Sequence, residues 1–190
     1  MALRKILTQG DPALHKVCRP VEKFDERLHI LLDDMKETLT QANGVGLAAP
    51  QVGILRRVVV VVNEQNEMVE LINPVIVHSE GEQTGLEGCL SVPGQYGVVT
   101  RPYKATVRAQ DRNGAVFEIT GEGVVARCFF HELEHLEGEH FYRDDLELWE
   151  LESAADGRIA LSERRPYRPS GRDIPVSYTH LRAHETSAHL

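Results

Sequence analysis

The sequence predicts an α+β domain: mixed, mainly antiparallel sheets packed around one central helix, with a long helix near the N-terminus. Three observations predict it. Strand-like segments follow one another through residues 57–120 instead of alternating with helices. An apolar stripe at helical spacing precedes them, and a second helical pattern at 124–138 follows them. That second helix carries His131-Glu132-Leu133-Glu134-His135, in which two imidazoles four residues apart share one face. So placed, they suit a single metal ion, with Glu132 in reach of a water on it.

The whole chain has 190 residues, enough for one domain with a full core. Its 42% apolar and 26% charged residues are those of a globular protein rather than a disordered one. A formal net charge of −8 excludes a nucleic-acid surface driven by bulk charge, though not a local basic patch. No apolar run approaches the roughly 18 residues of a membrane span. The opening MALRKILTQGDPALHK has neither the apolar stretch of a secretory signal nor the Arg- and Ser-rich character of a transit peptide. Cys18, Cys89 and Cys128 form no disulfide framework. The expected compartment is therefore a reducing cytoplasm, with no membrane association.

In chain order, Asp11-Pro12 reads as an N-cap followed by proline at the first helical position, starting a short helix to about Lys16. Asp25 caps the long helix, Leu28, Leu31, Leu32, Met35 and Leu39 form its buried stripe, and Asn43-Gly44 stops it. Residues 44–53, GVGLAAPQVG, are small, glycine-rich and interrupted by Pro50, which predicts a loop rather than a regular element. Gln51 stands out there as a carboxamide donor able to aim at a ligand oxygen. The β-branched run 57–63 predicts a buried strand and 64–67 a polar turn. Residues 68–79 read as extended, broken at Asn73-Pro74, and 83–87 as a short strand. Strands are expected at 97–100, 105–110 and 115–120, the last two joined by an Asp-Arg-Asn-Gly turn. Domain organisation follows: one domain over 1–150, a poorly ordered extension rich in Pro, Arg and Ser over 151–175, and a tail over 176–190. VSYTHLRAHET in that tail resembles the translation of a sequencing-library adapter, so His180, His184 and His189 are set aside as non-native.

A catalytic site of this kind wants a third protein ligand and one open position. Cys128 shares the helix face, but it lies seven residues from His135, about 10 Å along the axis at about 1.5 Å per residue. His140 falls one residue short of the longer HExxHxxGxxH pattern, and Phe141 stands where its histidine belongs. A downstream glutamate such as Glu150 fits a thermolysin-like site, with no local pattern selecting it. Cys89 sits between Gly88 and Leu90 in a segment that must bend, free to approach from another direction.

Three segments in this order, GVGLAAPQVG, EGCLS and HELEH, resemble the three signature motifs of peptide deformylases. The resemblance covers roughly residues 1–150, and the compact EGCLSVPG stretch is similar to the bacterial type. It implies that Cys89, His131 and His135 bind one divalent metal ion, natively iron(II), with zinc or nickel as substitutes. It implies Glu132 as general base and acid toward a metal-bound water. Gln51 and the backbone N–H of Leu90 would be the oxyanion donors, and the backbone around Val45, Gly46 and Leu47 the place where an extended peptide pairs. The implied reaction is hydrolysis of the formyl group from the N-terminal formyl-methionine of nascent chains, releasing formate. The implied partners are those peptides and, transiently, the ribosome, for an enzyme expected to be a monomer.

Glu87 and Arg101 match positions that form a structural salt bridge in that family. Two departures stand in the third motif, which usually has Gln before the first histidine and Asp before the second; here these are Phe130 and Glu134. Glu134 keeps a carboxylate able to orient a ligand from behind, one methylene longer. Two other readings of the helix compete. A zinc endopeptidase needs a His or Glu ligand downstream. A structural metal site closes its fourth position with protein, which Glu132 and the small-residue loop speak against.

Overall fold

The computed structural model of the chain describes residues 2–139, 148–153 and 159–163, the last two segments by their backbone alone. Helix α1 (Glu26–Ala42) starts where the Asp25 side chain accepts from Leu28 N and ends at Asn43, in the left-handed conformation with φ 52°. A single 3-10 turn, Pro12–His15, is capped by Asp11. Strands β1 (Gly46–Ala48), β2 (Val58–Val62), β3 (Met68–Glu80), β6 (Lys104–Gln110) and β7 (Val116–Glu122) form a five-stranded antiparallel sheet in the order β1-β2-β3-β6-β7.

The valine run of β2 is apolar throughout because both its faces are covered. Val58 and Val60 pack with Leu28, Leu32, Met35 and Leu39 of α1. Val59 and Val61 pack with Ala126, Phe129 and Leu136 of the second helix, α2 (Val124–Leu136). The second sheet takes β4 (Gln83–Cys89), β5 (Val92–Arg101), β8 (Leu148–Ser153) and β9 (Ile159–Glu163) in the order β4-β5-β8-β9. The α+β architecture with antiparallel sheets around the helix of the HExxH motif is thus as expected.

Three local expectations are corrected. Residues 44–53 are not simply a loop: Gly46–Ala48 pairs with β2, Gly46 opposite Val61 and Ala48 opposite Val59, before a 3-10 turn at Ala49–Val52. Three small or apolar residues carry no alternation, so only the partner strand defines them as a strand. The break at Asn73-Pro74 is a register shift inside one continuous strand. Asn73, at φ 52°, satisfies the diverted backbone by bonding both the N–H and the carbonyl of Val21. Residues 97–100 are the end of a longer strand, β5, whose first half the glycines at 94 and 97 obscure in the sequence. A strand at Ile159–Glu163 stands in the stretch expected to be poorly ordered. The rest of that extension beyond residue 153, and the suspected adapter-derived tail, lie outside the described residues. No described helix is long and apolar enough to cross a membrane.

One polar cluster ties α1 to the first sheet. Glu70 of β3 accepts from Arg112 Nε at 3.1 Å and pairs with Lys36 Nζ at 2.7 Å, while Arg112 also reaches Asp33 at 2.8 Å. Burial alone would raise the Glu70 carboxyl; the hydrogen bonds from Arg112 and Lys36 outweigh it and hold the group below its ordinary value. A carboxyl lowered in this way adds stability above its unfolded pKa of about 4.3 and loses it as pH falls through the folded value. Glu70→Gln should therefore cost about 1–2 kcal/mol at pH 7, read as a lower urea midpoint. The gap to the unchanged protein should narrow below about pH 4; a gap of equal size at pH 3 and pH 7 would refute the assignment.

Candidate active site

Helix α2 places its functional side chains by spacing and burial. His131, Glu132 and His135 are 2%, 0% and 1% exposed, on or beside the stripe that carries Val125, Cys128, Phe129 and Leu136 into the apolar core. The helix ends at Glu137 and Gly138, the latter at φ 72°. A Cβ on Gly138 would lie 2.7 Å from the His15 carbonyl carbon, so glycine is required where the N-terminal segment crosses. Cys18 N donates to Leu136 O at 2.8 Å at the same crossing.

Cys89 arrives from the second sheet. The β4–β5 register shifts between Gly88 and Cys89, turning the thiol inward. Gly88 lacks a side chain because the Tyr96 ring occupies its place, 2.8 Å from a Cβ. Cys89 Sγ lies 3.3 Å from His135 Nε2. One ligand atom from each of Cys89, His131 and His135 falls within 4.8 Å of the others, all three residues being buried. Bonds of about 2.0–2.3 Å to a shared tetrahedral centre would set such atoms about 3.3–3.8 Å apart, so the cluster fits one ion after minor adjustment. A thiolate with two imidazoles suits zinc, iron or nickel rather than calcium or magnesium.

Around this cluster stand the other expected residues. Gln51 Oε1 accepts from Ala48 N at 2.8 Å, which aims its amide nitrogen at Cys89 Sγ, 3.5 Å away, and at Ser91 Oγ, 3.2 Å away. Leu90 packs its side chain against Gly44, where a Cβ would meet Leu90 Cδ1 at 2.9 Å. The Val45 carbonyl accepts from Val62 N at 2.8 Å and from the Cys128 thiol at 3.5 Å. Cys128 is thus engaged with the residue that leads into β1, and burial pushes its thiol well above the ordinary range, with the charges of Glu132 and Glu87 adding to this. That is the behaviour of a neutral S–H group. His140 lies outside the described residues, and Glu150 is described by its backbone alone.

Glu132 is the anomaly of the site. Its carboxyl is fully buried, and neither oxygen has a hydrogen-bond partner among the described residues. Burial raises it to about 7, opposed by the charge of His131 and aided by that of Glu87. An unpartnered buried carboxyl is costly, and such groups are concentrated at functional sites. Gly46 makes room for it: a Cβ there would overlap Glu132 Oε1 and lie 2.5 Å from Cys128 Sγ. Gly46→Ala should therefore move Glu132 or β1 and lower turnover at least about 10-fold, since displacements near 1 Å cost as much or more. Steady-state rates on a protein of unchanged helical content check this; near-normal turnover would show that the pocket yields freely.

Behind His131 lies a buried ionic group. His131 Nδ1 contacts Glu87 Oε1 at 2.7 Å, which directs Nε2 toward the cluster. Burial alone would lower the imidazole pKa, but Cys89 and Glu87 outweigh it and raise it. The expected Glu87–Arg101 pair is present, with Arg101 Nη2 2.7 Å from Glu87 Oε1. Glu134 touches no ligand; it grips Arg101 instead, through Nη1 and, at 2.9 Å, Nη2. Its reach toward the histidine is therefore indirect, through Arg101 and Glu87. Phe130 packs at the edge of the core beneath α2. Two residues escaped the sequence reading. Ser91 takes the Gln51 amide; its place at the end of EGCLS was the signal that could have found it. Arg127 donates to Glu87 Oε2 at 3.1 Å; a lone cation in VVARCFF, four residues before His131, was a usable signal.

A cavity of about 450 Å³ opens beside β1, its lining divided between apolar groups (the valines at 45, 62, 124 and 125, and Cys128) and polar ones (Asn63, Glu64, Asn66 and Glu122). A larger one of about 710 Å³ lies against Arg19, Val21, Arg27 and Arg56 and holds none of these groups.

Comparison with known proteins places these residues in a family context. The family model described as polypeptide deformylase matches residues 3–148. A peptide deformylase of Agathobacter rectalis is 53% identical over 147 residues, covering 77% of this chain and 92% of that protein. One from Caldicellulosiruptor bescii is 54% identical over 138 residues, covering 73% and 82% respectively. The crystal structure of a peptide deformylase from Legionella pneumophila superposes with a TM-score of 0.71 at 51% identity, covering 74% of this chain and 84% of that one.

Proposed function

The chain belongs to the peptide deformylase family, metal-dependent hydrolases that remove the N-formyl group from nascent polypeptides, and from that premise we propose how its residues divide the work. Cys89, His131 and His135 hold the metal, natively iron(II), with zinc or nickel able to take its place. The reading rests above all on one observation: three buried ligand atoms converge within 4.8 Å, beside a carboxyl that no other described residue hydrogen-bonds. When bound, such an ion polarises a carbonyl and makes a water acidic near neutral pH.

The protein's own groups then do the rest. Glu132 takes a proton from the attacking water and returns it to the departing amine nitrogen. The Gln51 amide and the Leu90 N–H receive the negative charge that grows on the formyl oxygen. One donor of that kind supplies about 2.7–4 kcal/mol. The anchor from Ala48 N to Gln51 Oε1 holds the amide in place before substrate arrives.

The peptide pairs with the open edge of β1. Because Val45 O accepts from Val62 N, residues 45 and 47 direct their main-chain groups at β2. The N–H and C=O of Gly46 then face outward, so pairing centres on Gly46 rather than being shared equally by Val45, Gly46 and Leu47. The valine and cysteine part of the 450 Å³ cavity's lining suits the unbranched apolar side chain of methionine, and the asparagines and glutamates suit the polar main chain beside it.

Residues 1–150 make up the catalytic domain, 151–175 an extension and 176–190 a non-native tail. The chain works as a cytoplasmic monomer that meets its peptides transiently at the ribosome. Its net charge of −8 supports a role without membrane or nucleic-acid binding by bulk charge. Anaerobic purification, metal analysis and formate release from a formyl-methionyl peptide test the whole reading, with iron, nickel and zinc forms compared. No formate from a fully loaded protein would overturn it.

A further inference from the structure

We propose that Arg127 is a positioning residue: it holds the Glu87 carboxylate against His131 from the side opposite Arg101, and Glu134 supplies the charge that lets both guanidinium groups be buried together. The inference rests on the reading of His131 as a metal ligand.

The geometry is specific. Arg127, His131 and Glu134 fall at intervals of four and three residues on one face of α2. Glu87 has a fully buried side chain with both oxygens engaged. Oε1 meets His131 Nδ1 at 2.7 Å and Arg101 Nη2 at 2.7 Å. Oε2 meets Arg101 Nε at 3.1 Å and Arg127 Nη1 at 3.1 Å. Held by Arg101 alone, the carboxylate has one bidentate partner and can rotate with it away from the imidazole. Arg127 removes that freedom, because its own place is fixed independently. Nη1 also donates to Val99 O at 3.0 Å and lies 3.5 Å from Gly85 O, so the backbones of β5 and β4 anchor it.

Charge bookkeeping explains Glu134. Arg101 and Arg127 each have side chains 6% exposed, and Glu87 alone would leave this pocket with an excess positive charge beside a cation site. A buried uncompensated charge is strongly destabilising. Glu134, 20% exposed and bidentate on Arg101, restores neutrality with two carboxylates and two guanidinium groups.

The test is a mutant cycle read by metal release, using full-length zinc-loaded protein and excess chelator. Arg127→Met should release zinc roughly 10-fold faster or more, the usual scale for partners of a ligating histidine. Its kcat should fall while KM stays within about two-fold, because the substrate groups are untouched. Arg127→Lys, which keeps a buried cation, should recover most of the loss. Since Arg127 acts through Glu87, the double variant Arg127→Met/Glu87→Gln should release zinc no more than about two-fold faster than Glu87→Gln alone. Multiplying effects in the double variant, or unaltered release from Arg127→Met, would overturn the proposal and leave Arg127 a packing residue. If Arg127→Met does not fold, Arg127→Gln is read in the same cycle. Unchanged protein that binds no zinc would instead overturn the metal reading, and this inference with it.

Discussion

Glu132→Ala should bind metal as fully as the unchanged protein and release almost no formate. Proton transfer by a positioned carboxyl contributes about 10²–10⁴-fold, and here one group handles both the water and the leaving amine. The structure makes the prediction unusually clean. Neither Glu132 oxygen bonds to another described residue, so truncation breaks no hydrogen bond among them. It also removes a carboxyl that burial already disfavours, so thermal stability should hold or rise. Loss of activity would then be chemical and not structural. Turnover within about 10-fold of normal, with full metal content, would remove Glu132 from the mechanism.

Cys89→Ala should lose metal and activity together. In the proposed site the sulfur is the one ligand that comes from outside α2, and without it two imidazoles on a single helix would remain, too few for a catalytic site of three protein ligands. The same truncation takes an acceptor from the Gln51 amide at 3.5 Å and from Ser91 N at 3.4 Å, so the proposed oxyanion donor should loosen as well. Metal analysis after dialysis decides the matter. One tightly held ion per chain in Cys89→Ala would point to another third ligand, such as His140 or Glu150.

Which parts of this molecule could be seen in the sequence follows from how local their causes are. Helix α1 was legible because cap, stripe and stop all lie within it: Asp25, Leu28 to Leu39, Asn43. Strand β2 was legible because both its faces are buried and a run of valines suits no other place. Strand β1 was not, since Gly46–Ala48 is a strand only by virtue of Val59–Val61 beside it. That His131 and His135 share one face could be read from helical spacing, and the family motifs supplied Cys89, which the structure brings to within 4.8 Å of them. Spacing alone left His140 and Glu150 in contention, because the approach of β4 to α2 is set by long-range packing. Arg127 was missed because its meaning depends on Glu87, forty residues earlier in the chain.

With the peptide paired on β1 as proposed, the brevity of that strand limits what this enzyme can sense. It offers three residues of edge before the chain turns into Ala49–Val52, with one outward-facing main-chain unit at Gly46. A grip of that length reaches only the first few positions of whatever enters, and it reads shape there rather than sequence. Everything further along passes unread, so a single catalyst can serve every start that translation produces.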